Sequence, residues 1–413
     1  MKFGLIGEKL GHSFSKEIHA LLGDYEYELC EIPRDELDRF MREGDFIGIN
    51  VTIPYKEAVI PYLSWISEAA KKIGAVNTVI NHEGKLYGYN TDYFGMMDLF
   101  NHAGIEAKGK KALIIGTGGT SKTAYAVLKA LGAREILKVS RSGKDGAITY
   151  DQLYEDHIDA EIIVNTTPVG MYPDIYSCPV DISKFRNLEG VIDPIYNPIN
   201  TTLIMEAKKR GIKAEGGLYM LVSQAAVASE LFLDQNGNTA PYWLAKFYSE
   251  IKAKKENIVL IGMPSSGKST VGEIIAKELG REFIDTDKLV ESKIGMSIKS
   301  YFEKHGEEEF RDVESQVLRE IANRSSLVIS TGGGVVLRSE NISALKYNGK
   351  LYFIDRPLSD LTPTDDRPLS QDGRALEALY NKRYPIYLGY CDESIDASCP
   401  AQDVAKKIME NYR

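Results

Sequence analysis

The sequence predicts an α/β protein with largely parallel sheets and more than one hydrophobic core. Short apolar runs alternate with helix-length amphipathic segments along the chain, the arrangement in which crossover helices connect parallel strands. Two of these runs lead directly into glycine-rich turns, each followed by a helical pattern. The 413 residues exceed one typical domain of about 150 residues, so two or three domains are expected.

The predicted elements follow from these runs. The predicted strands are residues 2–6, 112–115, 135–139, 161–164, 258–261, 327–330 and 351–354. The uncharged, apolar-rich stretch 216–229 is too short to span a bilayer at 1.5 Å per residue, so it is predicted to be a buried helix. The charged stretch 249–257 precedes a new strand and is predicted to hold the main domain boundary.

Composition narrows the class of partner. The chain is 43% hydrophobic and 26% charged, with a net charge of −9, which argues against a nucleic-acid or anionic-membrane partner. Its four cysteines lack disulfide or zinc spacing, and the first residues lack the apolar region of a signal peptide. A cytoplasmic protein is therefore expected, and composition leaves its oligomeric state open.

The second glycine-rich turn, residues 262–269, reads G-x-x-x-x-G-K-S between a strand and a helix. This pattern is typical of a P-loop, whose backbone N–H groups wrap a β-phosphate. Lys268 is expected to reach the β- and γ-phosphates, and Ser269 to offer an oxygen to Mg²⁺. The predicted nucleotide-binding residues are Ser265, Ser266, Gly267, Lys268, Ser269 and Thr270.

Three further features follow the P-loop. Asp285 and Asp287 come after an apolar run. One carboxylate is suited to bind the water shell of Mg²⁺, and the other to accept a proton from a substrate hydroxyl. The end of a strand followed by a helix N-cap has the same sequence pattern. Arg311 and Glu314 are one helical turn apart. This spacing fits either a carboxylate that holds the guanidinium in a fixed orientation or an ordinary ion pair on the surface. Residues 330–334 read S-T-G-G-G, where glycines allow close approach to the backbone.

Together these motifs resemble shikimate kinase over about residues 257–413. The resemblance implies ATP and Mg²⁺ as cofactors, with catalytic roles for Lys268 and Asp287 and the metal at Ser269 and Asp285. It also implies that shikimate is bound by Asp287, Arg311, Gly333 and Arg383, and that Arg367, in R-P-L of a mobile lid, contacts the phosphates. An earlier R-P-L at 356–358 follows a strand too closely to lie in a lid, and Leu361 is followed by T-P where the family has an adenine-stacking arginine.

The first glycine-rich turn, residues 116–119, is a shortened dinucleotide fingerprint. The next predicted strand ends at 140–142, where an NAD-binding protein would carry an acid for the ribose 2′-hydroxyl. An arginine between two serines suits a 2′-phosphate instead, so NADP(H) is the expected cofactor. The predicted cofactor-binding residues are Gly116, Thr117, Gly118, Gly119, Thr120, Ser140, Arg141, Ser142 and Gly217.

Four polar clusters precede this unit, at residues 12–15, 50–56, 75–78 and 90–92. Each alone fits helix caps, turn formers or a surface lysine. Jointly, and with matches at 165–171, 193–198 and 217–224, they resemble shikimate dehydrogenase over about residues 1–250. The resemblance implies Lys56 and Asp92 as the catalytic pair. It implies substrate binding by Ser13, Ser15, Thr52, Asn77, Asp92, Tyr196 and Gln224.

The two resemblances predict one chain with two active sites. The first would reduce 3-dehydroshikimate to shikimate with NADPH, and the second would phosphorylate shikimate with ATP. The predicted domains are a substrate domain at 1–92 plus 217–250, a Rossmann-type NADP domain at 93–216 and a P-loop kinase domain at 257–413. Two alternatives remain open: a reductase carrying a kinase-like nucleotide-sensing module, and a dehydrogenase that accepts quinate.

Overall fold

The computed structural model describes residues 2–10, 14–144, 146–234, 241–362 and 373–412. The chain folds into two compact units, Met1–Ile251 and Lys252–Arg413. The first unit holds two sheets and the second holds one, and the α/β fold class is confirmed. In the described ranges, no helix combines the length and apolarity needed to cross a membrane.

The first sheet is mixed and has the strand order β2-β1-β3-β5-β6-β4. Its strands are β1 Phe3–Gly7, β2 Tyr27–Glu31, β3 Gly48–Val51, β4 Trp65–Ile66, β5 Thr78–His82 and β6 Lys85–Tyr89. The helices among them are α1 Ser15–Leu22, α2 Leu37–Glu43 and α3 Glu68–Ile73, and α4 Thr91–His102 follows. β5 pairs antiparallel with both β3 and β6, and a two-residue turn joins β5 to β6 as a hairpin. The sequence pattern did not predict this hairpin.

The second sheet is entirely parallel, with the order β11-β10-β9-β7-β8. Its strands are β7 Lys111–Ile115, β8 Glu135–Val139, β9 Ile162–Asn165, β10 Gly190–Asp193 and β11 Lys213–Gly216. Its helices are α5 Gly119–Ala130, α6 Tyr150–Asp156 and α7 Thr202–Lys209. β7 and β9 are largely apolar and buried along their whole length, as expected of strands covered on both faces.

Two long helices close the first unit. α8, Leu218–Phe232, is the predicted buried helix, and it packs closely against α4 because Gly95 leaves room for the Met220 carbonyl oxygen and the Gln224 side chain. α9, Pro241–Lys255, carries the chain into the second unit.

The second unit is built on a parallel sheet of order β13-β14-β12-β15-β16. Its strands are β12 Asn257–Ile261, β13 Glu282–Asp285, β14 Leu327–Ser330, β15 Gly349–Asp355 and β16 Glu393–Asp396. Its helices are α10 Lys268–Leu279, α11 Thr286–Ile294, α12 Ile298–Ala322, α13 Ser339–Lys346, α14 Gly373–Tyr390 and α15 Ala401–Tyr412. α12 bends at Gly306, where a φ of 85° interrupts the helical backbone. All seven predicted strands are present; 135–139 and 327–330 have the predicted bounds, and the ends of the other five differ by at most two residues.

Candidate active sites

A lysine and an aspartate form a close ion pair at one edge of the first sheet. Lys56, in the loop after β3, lies with Nζ 2.5 Å from Oδ2 of Asp92. Asp92 is in the first turn of α4, which begins because Asn90 caps it by accepting a hydrogen bond from the Tyr93 amide. Both side chains are partly buried, with exposed fractions of 28% for the lysine and 12% for the aspartate. The site therefore holds an ammonium whose position is fixed by a carboxylate.

Beside this pair, a network of hydrogen bonds orients the Asn77 amide. Asn77 Oδ1 accepts from the Thr91 backbone N–H at 2.7 Å and from the Thr78 hydroxyl at 3.2 Å. Because a backbone N–H can only donate, this contact fixes which end of the amide is the oxygen. Asn77 Nδ2 then donates to Gln224 Oε1 at 3.3 Å, which brings together two predicted substrate-binding residues. Asn50 Nδ2 donates to the Thr78 hydroxyl at 3.0 Å and extends the network.

The remaining predicted substrate residues lie on neighbouring elements. Thr52 follows β3 and its amide donates to the Ile6 carbonyl oxygen. Ser15 begins α1. The ring of Phe14, one residue earlier, packs 5.3 Å from the Tyr196 ring, so Tyr196 lies next to the start of α1. Ser13 lies outside the described residues.

The first glycine-rich turn connects β7 to α5. Gly116 has a φ of 108°, and a Cβ there would lie 2.9 Å from Thr166 Oγ1, so glycine is required on both counts. Gly118 is the N-cap of α5, and a Cβ on Gly118 or Gly119 would meet nothing within 4 Å. The helix N-terminus with this open backbone suits the pyrophosphate of a dinucleotide.

The other predicted cofactor residues surround this turn. Thr117 belongs to the turn, and Thr120 is the second residue of α5. Ser140 follows β8 and accepts a hydrogen bond from the Gly143 amide, while Arg141 and Ser142 are exposed. An exposed guanidinium at this strand end is available to a 2′-phosphate. Gly217 contacts the Pro194 carbonyl oxygen so closely that a side chain there would collide with it.

A buried carboxylate connects two loops at the ends of β9 and β10. Asp193 accepts hydrogen bonds from Asn165 Nδ2 at 3.1 Å, from the Ile195 amide at 3.2 Å and from the Thr201 hydroxyl at 2.7 Å. Burial raises the pKa of Asp193 to about 7, although these three donors act in the opposite direction. The carboxyl group thereby holds together the two matched segments at 165–171 and 193–198.

In the second unit, β12 ends in the P-loop and α10 begins at Lys268. The Lys268 ammonium is buried and donates to the carbonyl oxygens of Gly262 at 3.0 Å and Met263 at 2.7 Å. A cleft of about 220 Å³ opens at this point, between the P-loop and the ends of β13 and β14. Its lining includes five predicted residues of the loop: Ser265, Gly267, Lys268, Ser269 and Thr270. Ser266 is the sixth, and it is buried within the loop.

The predicted metal residues are in direct contact. Ser269 Oγ donates to Asp285 Oδ2 at 2.7 Å, and both residues line the cleft. Asp285 also caps α11, with Oδ1 accepting from the amides of Asp287 and Lys288. The N-cap role that the sequence pattern allowed is therefore present, and the same carboxylate contacts the Ser269 hydroxyl. A hydroxyl and a carboxylate oxygen are the hard donors that Mg²⁺ prefers when phosphates complete its coordination, so these residues fit the ion.

Next to the cleft, Arg311 lies buried between two carboxylates. Its Nη1 donates to Glu314 at 2.8 Å, and its Nη2 donates to Glu307 at 3.1 Å. Glu314 is almost fully buried, which raises its pKa, while the Arg311 charge lowers it. The surface-pair alternative for Arg311 and Glu314 is therefore wrong. A Cβ on Gly332 would contact Asp287 Oδ1 and lie 3.0 Å from Glu314 Oε1, so Asp287 belongs to the same cluster.

A second buried guanidinium joins this cluster. Arg383 donates from Nη1 to the Gly333 carbonyl oxygen at 3.0 Å, and the Tyr387 hydroxyl donates to the same oxygen at 2.5 Å. Burial lowers the pKa of Arg383, and its Nε is buried with no partner among the described residues. Two arginines, Asp287 and the glycine turn therefore converge beside the P-loop. Arg367 lies outside the described residues.

Comparison with known proteins assigns the first unit. The chain is 40% identical over 247 residues to the NADP(+) shikimate dehydrogenase of Clostridium beijerinckii, covering 56% of this chain and 91% of that protein. The chain belongs to the shikimate dehydrogenase family. Residues 5–79 match the model of the shikimate dehydrogenase substrate binding domain. Residues 264–413 match the shikimate kinase model, so the chain is an enzyme that joins a dehydrogenase region to a shikimate kinase domain.

Solved structures resemble the dehydrogenase region. A chorismate mutase/shikimate 5-dehydrogenase fusion protein from Clostridium acetobutylicum is 36% identical, with a TM-score of 0.57 over 61% of this chain and 97% of that one. The shikimate 5-dehydrogenase of Thermus thermophilus, in complex with NADP(H) and shikimate, is 30% identical, with a TM-score of 0.54 over 60% and 99% of the two chains. The Clostridium acetobutylicum protein is thus an example of a shikimate 5-dehydrogenase fused to another enzyme.

The dehydrogenase and kinase sites also contain polar residues to which the sequence motifs assigned no role. Asn50, Thr78 and Thr91 orient Asn77, and each belongs to one of the four polar clusters. Glu307 binds the outer side of Arg311, and Arg356 lies beside the P-loop. The hydroxyl and amide residues next to Asn77 were a usable signal, because a buried amide needs partners for both of its ends.

Proposed function

We propose that the dehydrogenase region reduces 3-dehydroshikimate to shikimate with NADPH, and that the kinase domain phosphorylates shikimate with ATP to shikimate 3-phosphate. The product of the first reaction is the substrate of the second, and both belong to the shikimate pathway. The domain division at 1–92 plus 217–250, 93–216 and 257–413 is part of this proposal.

The contact between Lys56 and Asp92 is the observation that carries the reductase proposal. When bound, NADPH supplies a hydride to the carbonyl carbon of the substrate. The Lys56 ammonium is then the proton donor for the carbonyl oxygen, since a primary ammonium is protonated at neutral pH. Asp92 holds that ammonium in place, and it would accept a hydrogen bond from the product hydroxyl once the carbonyl oxygen has been protonated. Asn77 and Gln224, which share a hydrogen bond, would bind the ring hydroxyls.

Recognition of the substrate and of NADP rests on the surrounding groups. Ser13 and Ser15 would hold the carboxylate, Thr52 and Tyr196 would complete the substrate site, and Arg141 would bind the ribose 2′-phosphate. This choice of cofactor is supported by the absence of an acidic residue at 140–142 and by the NADP(+) in the name of the Clostridium relative.

The kinase proposal is supported by the cluster of Asp287, Arg311, Gly333 and Arg383 beside the P-loop. Asp287 would accept the proton of the shikimate 3-hydroxyl as that oxygen attacks the γ-phosphorus, and ADP leaves. The two buried guanidiniums would hold the substrate carboxylate, to which arginine binds in a bidentate manner. Lys268 would then donate to the transferring phosphates, with Mg²⁺ at Ser269 and Asp285 neutralising their charge.

One coupled assay on the full chain tests both reactions. The sample receives 3-dehydroshikimate, NADPH, ATP and Mg²⁺, and the loss of NADPH absorbance and the formation of ADP are recorded together. We expect NADPH loss without ATP, and ADP formation only after shikimate is present. Lys268→Ala should abolish ADP formation and leave NADPH oxidation unchanged. Lys56→Ala should abolish NADPH oxidation and leave ADP formation unchanged when shikimate is added directly.

The same assay separates the kinase proposal from the nucleotide-sensing alternative. A sensor would bind ATP without releasing ADP at saturating shikimate and Mg²⁺. The retained acceptor cluster argues for a kinase, because a sensor has no need of two buried arginines and an aspartate beside the phosphate loop. ATP binding without any shikimate-dependent ADP release would reject the kinase activity and leave the reductase proposal intact.

A further inference from the structure

Arg356 directly follows β15 and places its guanidinium beside the P-loop. Its Nη1 lies 3.6 Å from the position that a Cβ on Gly267 would occupy. β15 is the parallel neighbour of β12, with Phe353 opposite Ile261. A Cβ on Gly262 would lie 2.9 Å from the Ile354 carbonyl oxygen. The carboxyl ends of these two strands therefore bring the P-loop and Arg356 to the same edge of the sheet.

The guanidinium of Arg356 is not fully satisfied within the described part of the chain. Its Nε atom is buried and has no hydrogen-bond partner there. The carboxylate next to it in sequence is engaged elsewhere, because Asp355 Oδ2 accepts a hydrogen bond from the Tyr384 hydroxyl at 2.9 Å. An arginine keeps its charge at any physiological pH, and a buried donor without an acceptor is rare in folded proteins. This geometry suits a ligand that brings negatively charged acceptors.

We propose that Arg356 binds the diphosphate part of the nucleotide in the kinase domain. The inference rests on the proposed kinase function and adds to it a residue outside the P-loop motif. Gly267 belongs to the turn whose backbone N–H groups wrap phosphate, so a guanidinium against Gly267 lies at the phosphates. The planar fork of arginine can then donate two parallel hydrogen bonds to phosphate oxygens.

The position of Leu361 is consistent with this role. Leu361 stands in the segment where the resemblance leads one to expect an arginine, but its side chain is 5% exposed and packs in the core with Phe353 and Tyr387. It cannot contact a nucleotide. Arg356, five residues earlier, is the arginine that the described part of this segment places beside the P-loop.

The test compares nucleotide affinities of the full chain and its Arg356→Gln and Arg356→Lys variants. Isothermal titration with ADP, AMP and inorganic pyrophosphate measures Kd for each ligand. For Arg356→Gln we expect the Kd of ADP and of pyrophosphate to rise about tenfold, as for the loss of a charge-assisted hydrogen bond. The Kd of AMP should change less than about twofold. Lysine should restore part of the loss, because it keeps the charge but not the fork.

Arg324→Gln is the matched control, since it removes the same charge from a surface ion pair with Glu282. Denaturant unfolding of each variant, compared with that of the wild-type chain, reports whether the kinase domain is folded. An unchanged Kd for ADP in a folded Arg356→Gln variant would overturn the inference. Equal losses for ADP and AMP, with no loss for pyrophosphate, would also overturn it, because the contact would then be to the nucleoside. A wild-type chain that neither binds ADP nor releases it would instead refute the kinase function itself.

Discussion

Lys56 and Asp92 lie 2.5 Å apart between Nζ and Oδ2, although 36 positions separate them in the chain. The lysine is on a loop after a strand, whereas the aspartate is fixed by the first turn of α4. The helix N-terminus stabilises the carboxylate, and the carboxylate in turn positions the ammonium. The relationship is asymmetric, because the helix holds the aspartate, and the aspartate holds the ammonium that we propose as the proton donor.

Replacing Lys56 with glutamine should therefore slow the reduction of 3-dehydroshikimate, with a loss in kcat of about 10² to 10⁴, the usual contribution of a general acid. NADPH affinity should remain unchanged, since the lysine is assigned to the substrate. Stopped-flow absorbance and a fluorescence titration measure the two quantities. Lys71→Gln is the control, because Lys71 forms an exposed ion pair with Glu68. A full kcat in the Lys56→Gln variant would refute its role as proton donor.

Thr78→Val should weaken substrate binding without removing the catalytic pair. The buried Thr78 hydroxyl accepts from Asn50 and donates to Asn77, so valine leaves two buried amide atoms without that partner. We expect the KM for shikimate to rise roughly tenfold, as each of the two lost hydrogen bonds contributes about 0.5–1.5 kcal/mol, with a smaller change in kcat. Thr78→Ser keeps the hydroxyl and should restore KM. An equal loss in the serine variant would indicate that packing, rather than amide orientation, is what matters.

Glu307→Gln should improve the affinity of the kinase domain for shikimate. Glu307 accepts hydrogen bonds from Nε and Nη2 of Arg311, which is the same fork that the proposal assigns to the substrate carboxylate. Removing this competing charge should lower the KM for shikimate about two- to fivefold, and the effect should shrink at high salt.

Glu308→Gln is the neighbouring control, because Glu308 is exposed and pairs with Arg338 instead. A rise in KM for the Glu307→Gln variant would mean that this carboxylate orients Arg311 rather than competing for it.

Asp193 should make stability depend on pH. Burial raises its pKa to about 7, above the ordinary value of about 3.9, so the folded state binds the proton more tightly than the unfolded state. Its stabilising contribution is complete below about pH 4 and is lost as pH rises to about 7. Across that window the unfolding free energy should fall by a few kcal/mol.

Asp193→Asn removes this titration, so denaturant unfolding of the variant should depend less on pH between about 4 and 7. Asp38→Asn, at an exposed ion pair with Arg42, is the comparison, because the pKa of Asp38 is lowered and its titration acts in the opposite direction. Equal slopes for wild type and Asp193→Asn would contradict the assigned pKa.

The strands and the nucleotide turns could be predicted from the sequence, because both depend on local chemistry. Buried parallel strands are apolar throughout, and a phosphate-binding turn needs glycines at fixed spacing. The hairpin of β5 and β6 was missed because its strands carry mixed polar and apolar residues, such as Asn81 and Lys85. Its pairing depends on register between strands, which a local pattern does not give.

The site residues divide in the same way. Asp287, Arg311 and Arg383 could be selected by motif, and the structure brings them together. The partners that orient them could not be selected. In the sequence, Glu307 is one of several acidic residues of a helix, and only the fold shows that it contacts Arg311. The position of Arg356 directly after a strand excludes it from a lid, and that same position brings its guanidinium to the P-loop.

The helix α9, which carries one continuous chain from the dehydrogenase region into the kinase domain, fixes the ratio of the two active sites at one to one. Separate polypeptides could be balanced by changing how much of each is synthesised. Here a change in expression level changes the amounts of both active sites by the same factor. Any imbalance between the supply and consumption of shikimate must therefore be corrected through the turnover numbers and affinities of the sites themselves. Selection on Glu307, Thr78 or Arg356 would act directly on that balance.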